Sequence, residues 1–139
     1  MKYIPVISLH DFGLKDTLPR RTVLRVLEKT EKPLTVRGIL HQLRKEDTSI
    51  GLVTIYRVIE ALLRVGLVHR HPVGGTFSLC TIPEVRGHHV LLRCLYCGNV
   101  DEAHDHQLCR REEAIAKSRG FRTAEHVSEL VGTCSQCRQ

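Results

Sequence analysis

The stretch Gly51-Leu52-Val53-Thr54-Ile55-Tyr56-Arg57-Val58-Ile59-Glu60-Ala61-Leu62-Leu63-Arg64-Val65-Gly66-Leu67-Val68-His69-Arg70-His71 changes its period at Gly66. Before that glycine, Leu52, Ile55, Ile59, Leu62 and Leu63 recur at helical spacing on one face, which predicts a helix over about 51–65. Ser49 or Gly51 would cap its start and Gly66 would stop it. After it the alternation is that of strands: Leu67–His71, a Gly74-Gly75 turn, then Thr76-Phe77-Ser78-Leu79, a β-hairpin. Working backward, the polar turn Glu46-Asp47-Thr48-Ser49 is preceded by a helix at about 35–46 with Val36, Ile39, Leu40 and Leu43 inward. Another helix at 19–31 carries the stripe Val23, Leu24, Leu27 and is closed by Pro33. Two helices joined by so short a turn form a helix-turn-helix, and three helices followed by a hairpin form a winged helix.

Working forward, residues 81–87 (Thr-Ile-Pro-Glu-Val-Arg-Gly) read as a hinge. A second module spans 88–139: a strand at about 88–95, a short strand at Asn99–Glu102, a helix over 105–119 ended by Gly120, and a strand region at about 121–133. The expected class is therefore α+β, a winged helix-turn-helix domain over 1–80 followed by a small α/β domain.

The charge follows this division. The chain has 139 residues and a net charge of +6, and all of that excess lies before residue 88, with 14 Lys+Arg against 8 Asp+Glu. From residue 88 onward there are 7 of each. A basic module joined to a neutral one is the footprint of a nucleic-acid binder. No apolar run approaches the ~18–20 residues of a membrane span, and Met1-Lys2-Tyr3-Ile4-Pro5 lacks the pattern of a secretory signal. The expected location is the cytoplasm, with no membrane partner.

Metal-ligand residues are distributed the other way. Five of the six cysteines lie beyond residue 90, and seven of the nine histidines lie between His69 and His126. Cys94-x-x-Cys97 and Cys134-x-x-Cys137 offer four thiolates in two knuckles, the donor set of a structural zinc site. Thirty-six residues separate the knuckles, enough for an inserted helix and strand that the metal would pin. In a reducing compartment two such pairs favour metal over disulfides or a redox dithiol.

Thr54, Tyr56 and Arg57 sit early on the third helix, where a recognition helix meets the major groove. Arg57 suits guanine or phosphate, and Tyr56 a thymine methyl or a phosphate. Lys15, Arg20 and Arg21 would add backbone contacts. The expected partner is double-stranded DNA. The chain lacks His-Glu-x-x-His and the deaminase signature, which leaves a zinc hydrolase, like a zinc-stabilised protein without DNA contacts, as a lesser alternative; no enzyme and no small-molecule substrate are expected.

In order and spacing these residues resemble the ferric uptake regulator family, and most closely its zinc uptake regulator branch. The resemblance runs over about 14–137 and rests on Leu18-Pro19-Arg20-Arg21, Thr54-Ile55-Tyr56-Arg57 and Gly66-Leu67-Val68-His69. Further along it rests on His88-His89, Cys94-x-x-Cys97-Gly98, Glu102, Gly120-Phe121, His126 and Cys134-x-x-Cys137. Val53 departs from the family's usual alanine. The resemblance implies a homodimer held by the C-terminal domain, acting as a metal-dependent repressor of zinc uptake genes at AT-rich palindromic operators. It also implies a sensory metal site from His69, Cys80, one of His88 or His89, and Glu102, which would cross-link the two domains. At least two Zn2+ per chain are then expected. The thiolate of Cys80 favours zinc over ferrous iron or manganese, against the alternatives of an iron-, manganese- or peroxide-responsive regulator of this fold. On a strand His88 and His89 point to opposite faces, so one of them is left for a further site with Cys109 and His126. A buried helix cysteine is the other account of Cys109. His104 and His106 are expected as exposed loop histidines or auxiliary ligands, and His10, His41 and His71 as surface residues.

Overall fold

In the computed structural model the described residues are 7–72, 74–83, 89–123 and 128–138. The chain divides into two compact units, residues 1–83 and 84–139.

The first unit opens with a 3-10 turn, Leu9–Phe12, which the sequence patterns did not announce. Three helices follow: α1 (Leu18–Lys29), α2 (Val36–Lys45) and α3 (Leu52–Arg64). Pro19 lies in the first turn of α1, where its missing N–H costs nothing. Thr35 caps α2, its hydroxyl accepting from the Gly38 N–H at 3.0 Å. Gly51, rather than Ser49, stands at the N-cap of α3. Strands β1 (Val68–Arg70) and β2 (Phe77–Leu79) form the antiparallel hairpin, with His69 opposite Ser78. Leu34 adds an isolated bridge on the other side of β2, exchanging backbone hydrogen bonds of 2.9 and 2.8 Å with Phe77. Helical periodicity and alternation thus converge on one core, with Val23, Ile39, Leu43, Ile55, Leu62 and Leu67 among its fully buried members.

The junction between α3 and β1 is a left-handed stop. Gly66 has φ +78°, its N–H reaches the Leu63 carbonyl at 3.1 Å, and the Leu67 N–H reaches that of Leu62 at 3.0 Å. This doubly bonded ending satisfies the orphan carbonyls of the last turn and sets the direction of the wing. A Cβ at Gly66 would meet nothing within 4 Å, so the backbone angle alone resists substitution. Gly66→Ala should cost about 1–2 kcal/mol, read as a lowered midpoint in denaturant unfolding; an unchanged midpoint would contradict the account.

The second unit is a three-stranded sheet with β3 (His89–Cys94) central. It pairs antiparallel with β4 (Val100–His104) and parallel with β5 (Ser128–Gly132), in the order β4-β3-β5. Helix α4 (His106–Ser118) connects the edges and ends on Gly120 with the same doubly bonded stop as α3. Of the strand region expected over about 121–133, the described residues Ser128–Gly132 form a strand and 121–123 carry no regular structure; residues 124–127 lie outside the described residues. Among the described residues the unit buries only His89, Leu91, Cys94 and Val100, and α4 buries none. So thin a core calls for a staple.

Asp105 caps α4, its Oδ1 accepting from the N–H groups of Gln107 and Leu108 at 2.8 and 3.0 Å. Those two bonds, first Leu108's and then Gln107's, hold its carboxyl below the ordinary value of 3.8, with His104 and His106 assisting. A carboxyl depressed in the folded state contributes stability that is present above the unfolded value and lost as pH falls through the folded one. Asp105→Asn, which keeps a capping oxygen, should remove this part of the acid sensitivity. Acid titration of both proteins by circular dichroism checks it, and identical pH profiles would contradict it.

Candidate metal centres and DNA-reading face

The four cysteines of the two knuckles converge within the second unit. Cys94 ends β3 and Cys97 follows one tight turn later, closed by the Gly98 N–H on the Cys94 carbonyl at 3.0 Å with Gly98 at φ +73°. Cys134 and Cys137 form the matching turn after β5, where the Cys137 N–H meets the Cys134 carbonyl at 3.1 Å. Because β3 and β5 run parallel, both chains arrive at the same end of the sheet and all four Sγ atoms lie within 4.8 Å of one another. Cys97 Sγ and Cys134 Sγ are 3.8 Å apart. A tetrahedron with metal–sulfur bonds of ~2.3 Å has edges of about 3.8 Å, so the donors fit zinc.

The electrostatics favour the same occupant. The Cys94 thiol is lowered from 9.0 to about 6, first by the Cys97 N–H and then by the Cys134 N–H, the latter at 3.4 Å from its Sγ. Cys137 is pushed up to about 12, chiefly by its hydrogen bond with the Cys134 side chain and by burial. Four adjacent sulfurs cannot all ionise without a cation; the first proton leaves Cys94 readily and the last is held at Cys137. A divalent metal supplies the missing positive charge, and its binding displaces those protons.

Each unit also presents a smaller donor pair. In the first, His69 on β1 and Cys80 just beyond β2 share one face of the hairpin, since His69 opposes Ser78 and Cys80 lies two residues on. A ring nitrogen of His69 and the Cys80 Sγ are within 4.8 Å. In the second unit the His89 Nδ1 and Glu102 Oε2 are 2.6 Å apart, both side chains buried. This diagonal pair arises because Leu91 opposes Glu102 and His89 opposes His104. His89 is thus the histidine joined to the carboxylate; His88 and His126 lie outside the described residues.

Several expectations need correction. His71 is not a surface residue: it is buried, on the same hairpin face as His69, with its Nε2 2.8 Å from Ser78 Oγ. Alternation from His69 would have placed it there. His104 is not in a loop but ends β4, edge-on to His89 with ring centroids 5.6 Å apart, and its Nε2 is buried. His106 is exposed at the start of α4. Cys109 is half-buried on α4, and its expected partner His126 lies outside the described residues. The ion pair of Arg93 with the buried Glu129, 2.8 Å across β3 and β5, had no local sequence signal.

On α3 the faces separate cleanly. Ile55, Val58, Ile59 and Leu62 are buried, whereas Val53, Thr54, Tyr56 and Arg57 are exposed. Lys15 is exposed as well, and its carbonyl accepts from Arg20 Nη1 at 2.8 Å. Arg21 pairs with Asp16 at 2.9 Å. The Arg25–Glu46 ion pair of 2.6 Å ties α1 to the end of α2.

The model of the family described as "Ferric uptake regulator family" matches residues 11–131. The chain belongs to the ferric uptake regulator family. Members of the ferric uptake regulator family are transcriptional regulators, not enzymes, and they bind metal. The ferric uptake regulation protein of Legionella pneumophila is 36% identical over 132 residues, covering 94% of this chain and 96% of its own length. Among solved structures, the holo form of XcZur is similar at 28% identity and a TM-score of 0.81, over 90% of this chain and 87% of that one. A zinc uptake regulator complexed with zinc and DNA is similar at 25% identity and a TM-score of 0.83, over 92% of this chain and 86% of that one. No helix of the described residues is long and apolar enough to cross a membrane.

Proposed function

We propose that this chain is a zinc-responsive repressor that binds palindromic, AT-rich operators as a metal-loaded homodimer and controls zinc uptake genes. The observation that carries the metal's identity is the Cys80 thiolate beside His69 on the hairpin face. Relatives such as the ferric uptake regulation protein of Legionella pneumophila bear a ferric name, but names do not coordinate metals. A thiolate, two imidazoles and a carboxylate suit four-coordinate zinc better than iron or manganese. In this reading His69 and Cys80 supply half of a sensory site, and His89 and Glu102 the other half. Metal shared by the two pairs would restrict how the DNA-binding unit moves against its neighbour, shifting the population toward the form that fits the operator. The four-cysteine cluster would hold a second, structural zinc.

The DNA partner is supported by the exposed Thr54, Tyr56 and Arg57 on α3, by Lys15, Arg20 and Arg21, and by the likeness to a regulator solved with zinc and DNA. The homodimer is supported by the apolar surface that the second unit leaves uncovered: Leu92 and Leu130 side by side on the sheet, and Ile115 on α4. A regulator of this kind works in the cytoplasm, where free thiols persist.

The test is operator binding, measured by fluorescence anisotropy at fixed ionic strength, against buffered zinc, manganese and ferrous iron. Zinc should promote binding at far lower free concentration than the other two. Equal or better response to iron would favour the ferric reading instead. Arg57→Ala should weaken binding by about 1–3 kcal/mol without altering zinc content; unchanged affinity would remove α3 from the interface.

A further inference from the structure

The DNA-reading surface contains one residue that neither its charge nor its fold explains. Val53 lies in the first turn of α3 and is 64% exposed. It is three residues before Tyr56, which is 49% exposed, and four before the exposed Arg57. At those spacings the three side chains adjoin on one helix face, opposite the buried Ile55, Ile59 and Leu62. Valine is a poorer helix former than alanine because its branched Cβ loses rotamer freedom against the preceding turn. A solvent-facing valine here therefore serves neither the helix nor the core.

We infer that Val53 is a specificity-determining residue, reading the C5-methyl of a thymine in the major groove beside the base contacted by Arg57. The inference rests on the proposed DNA-binding function. The major groove offers donors, acceptors and one apolar feature, the thymine methyl. The patch matches that inventory: an arginine fork for guanine or phosphate, a tyrosine with apolar body and polar tip, and a branched aliphatic group with no polar capacity. A valine gains nothing from phosphate, so its only productive contact in the groove is with that methyl. Burial of a methyl-sized contact gives about three- to fourfold preference per half-site, or about tenfold across a symmetric dimer site.

The experiment uses the full-length, zinc-loaded protein. A random-sequence duplex pool is enriched by the wild type, and the selected duplex is resynthesised with deoxyuridine replacing thymine one symmetric pair at a time. Each replacement removes only the methyl. For the wild type, one symmetric pair of replacements should weaken binding about tenfold; Val53→Ala should bind that duplex and its thymine parent equally. Thermal unfolding of Val53→Ala should be unchanged or raised, which a structural role would not allow. If every thymine replacement affects wild type and Val53→Ala alike, the inference is overturned while DNA binding stands. If the wild type enriches no sequence, the DNA-binding function fails first and carries this inference with it.

Discussion

Cys134→Ser is expected to unfold the C-terminal unit while leaving the N-terminal one intact. The reason is the imbalance between the two cores. Residues 1–83 enclose a continuous cluster running from Leu9 to Leu79, whereas the described part of the second unit buries little beyond Leu91, Cys94 and Val100. A structural four-thiolate zinc contributes about 10 kcal/mol or more to the fold that encloses it, comparable to the whole stability of a small domain. Cys134 also donates its N–H to Cys94 Sγ and lies beside Cys97 Sγ, so it joins the two knuckles directly. Its loss should free β5 from β3. The expected record is zinc content lower by one per chain, sheet signal lost from the far-ultraviolet spectrum, and one surviving thermal transition from the helical unit. Retention of both zinc and a folded C-terminal unit would show that the cluster is not the staple.

The second large effect is expected at Cys80. This residue is fully buried, with its N–H bonded to the Leu67 carbonyl at 2.8 Å, so the backbone fixes it whether or not the thiol is present. Cys80→Ala should therefore leave the melting of the N-terminal unit within about 1–2 kcal/mol of wild type. Zinc content should fall by one per chain, and zinc-promoted operator binding should weaken by about two or more orders of magnitude, because a metal that no longer distinguishes two states cannot shift their populations. Cys80→Asp restores a fourth donor of hard character and should move the preference toward manganese and iron. Unchanged zinc content with zinc-independent DNA binding would leave the four-cysteine cluster as the metal site and remove Cys80 from sensing.

Much of this was legible in the sequence because the informative signals are local. The period change at Gly66 fixed the helix, its stop and the wing, since one residue of positive φ governs all three. The knuckles were legible because a C-x-x-C turn is self-contained. What the sequence hid depends on register. Whether His88 or His89 meets Glu102 is decided by the pairing of Leu91 with Glu102, which no composition or spacing encodes. The same holds for Arg93 and Glu129, brought together by a parallel pairing across many residues. His71 has no partner close by in the sequence that would mark it as buried; its place in the alternation puts it on the hairpin face of His69 and Ser78.

That dependence gives the Leu34–Phe77 bridge a chemical meaning. His69 and Cys80 face the same way only while His69 stands opposite Ser78; a slip of one residue would turn one donor away from the other. The short hairpin has few rungs of its own to prevent this. Leu34, remote in sequence from every ligand, clasps Phe77 from the other side and holds β2 at its station. In the proposed sensory site strand alignment would itself set metal affinity, and a mutation that loosens this clasp would detune that site without touching a single donor atom.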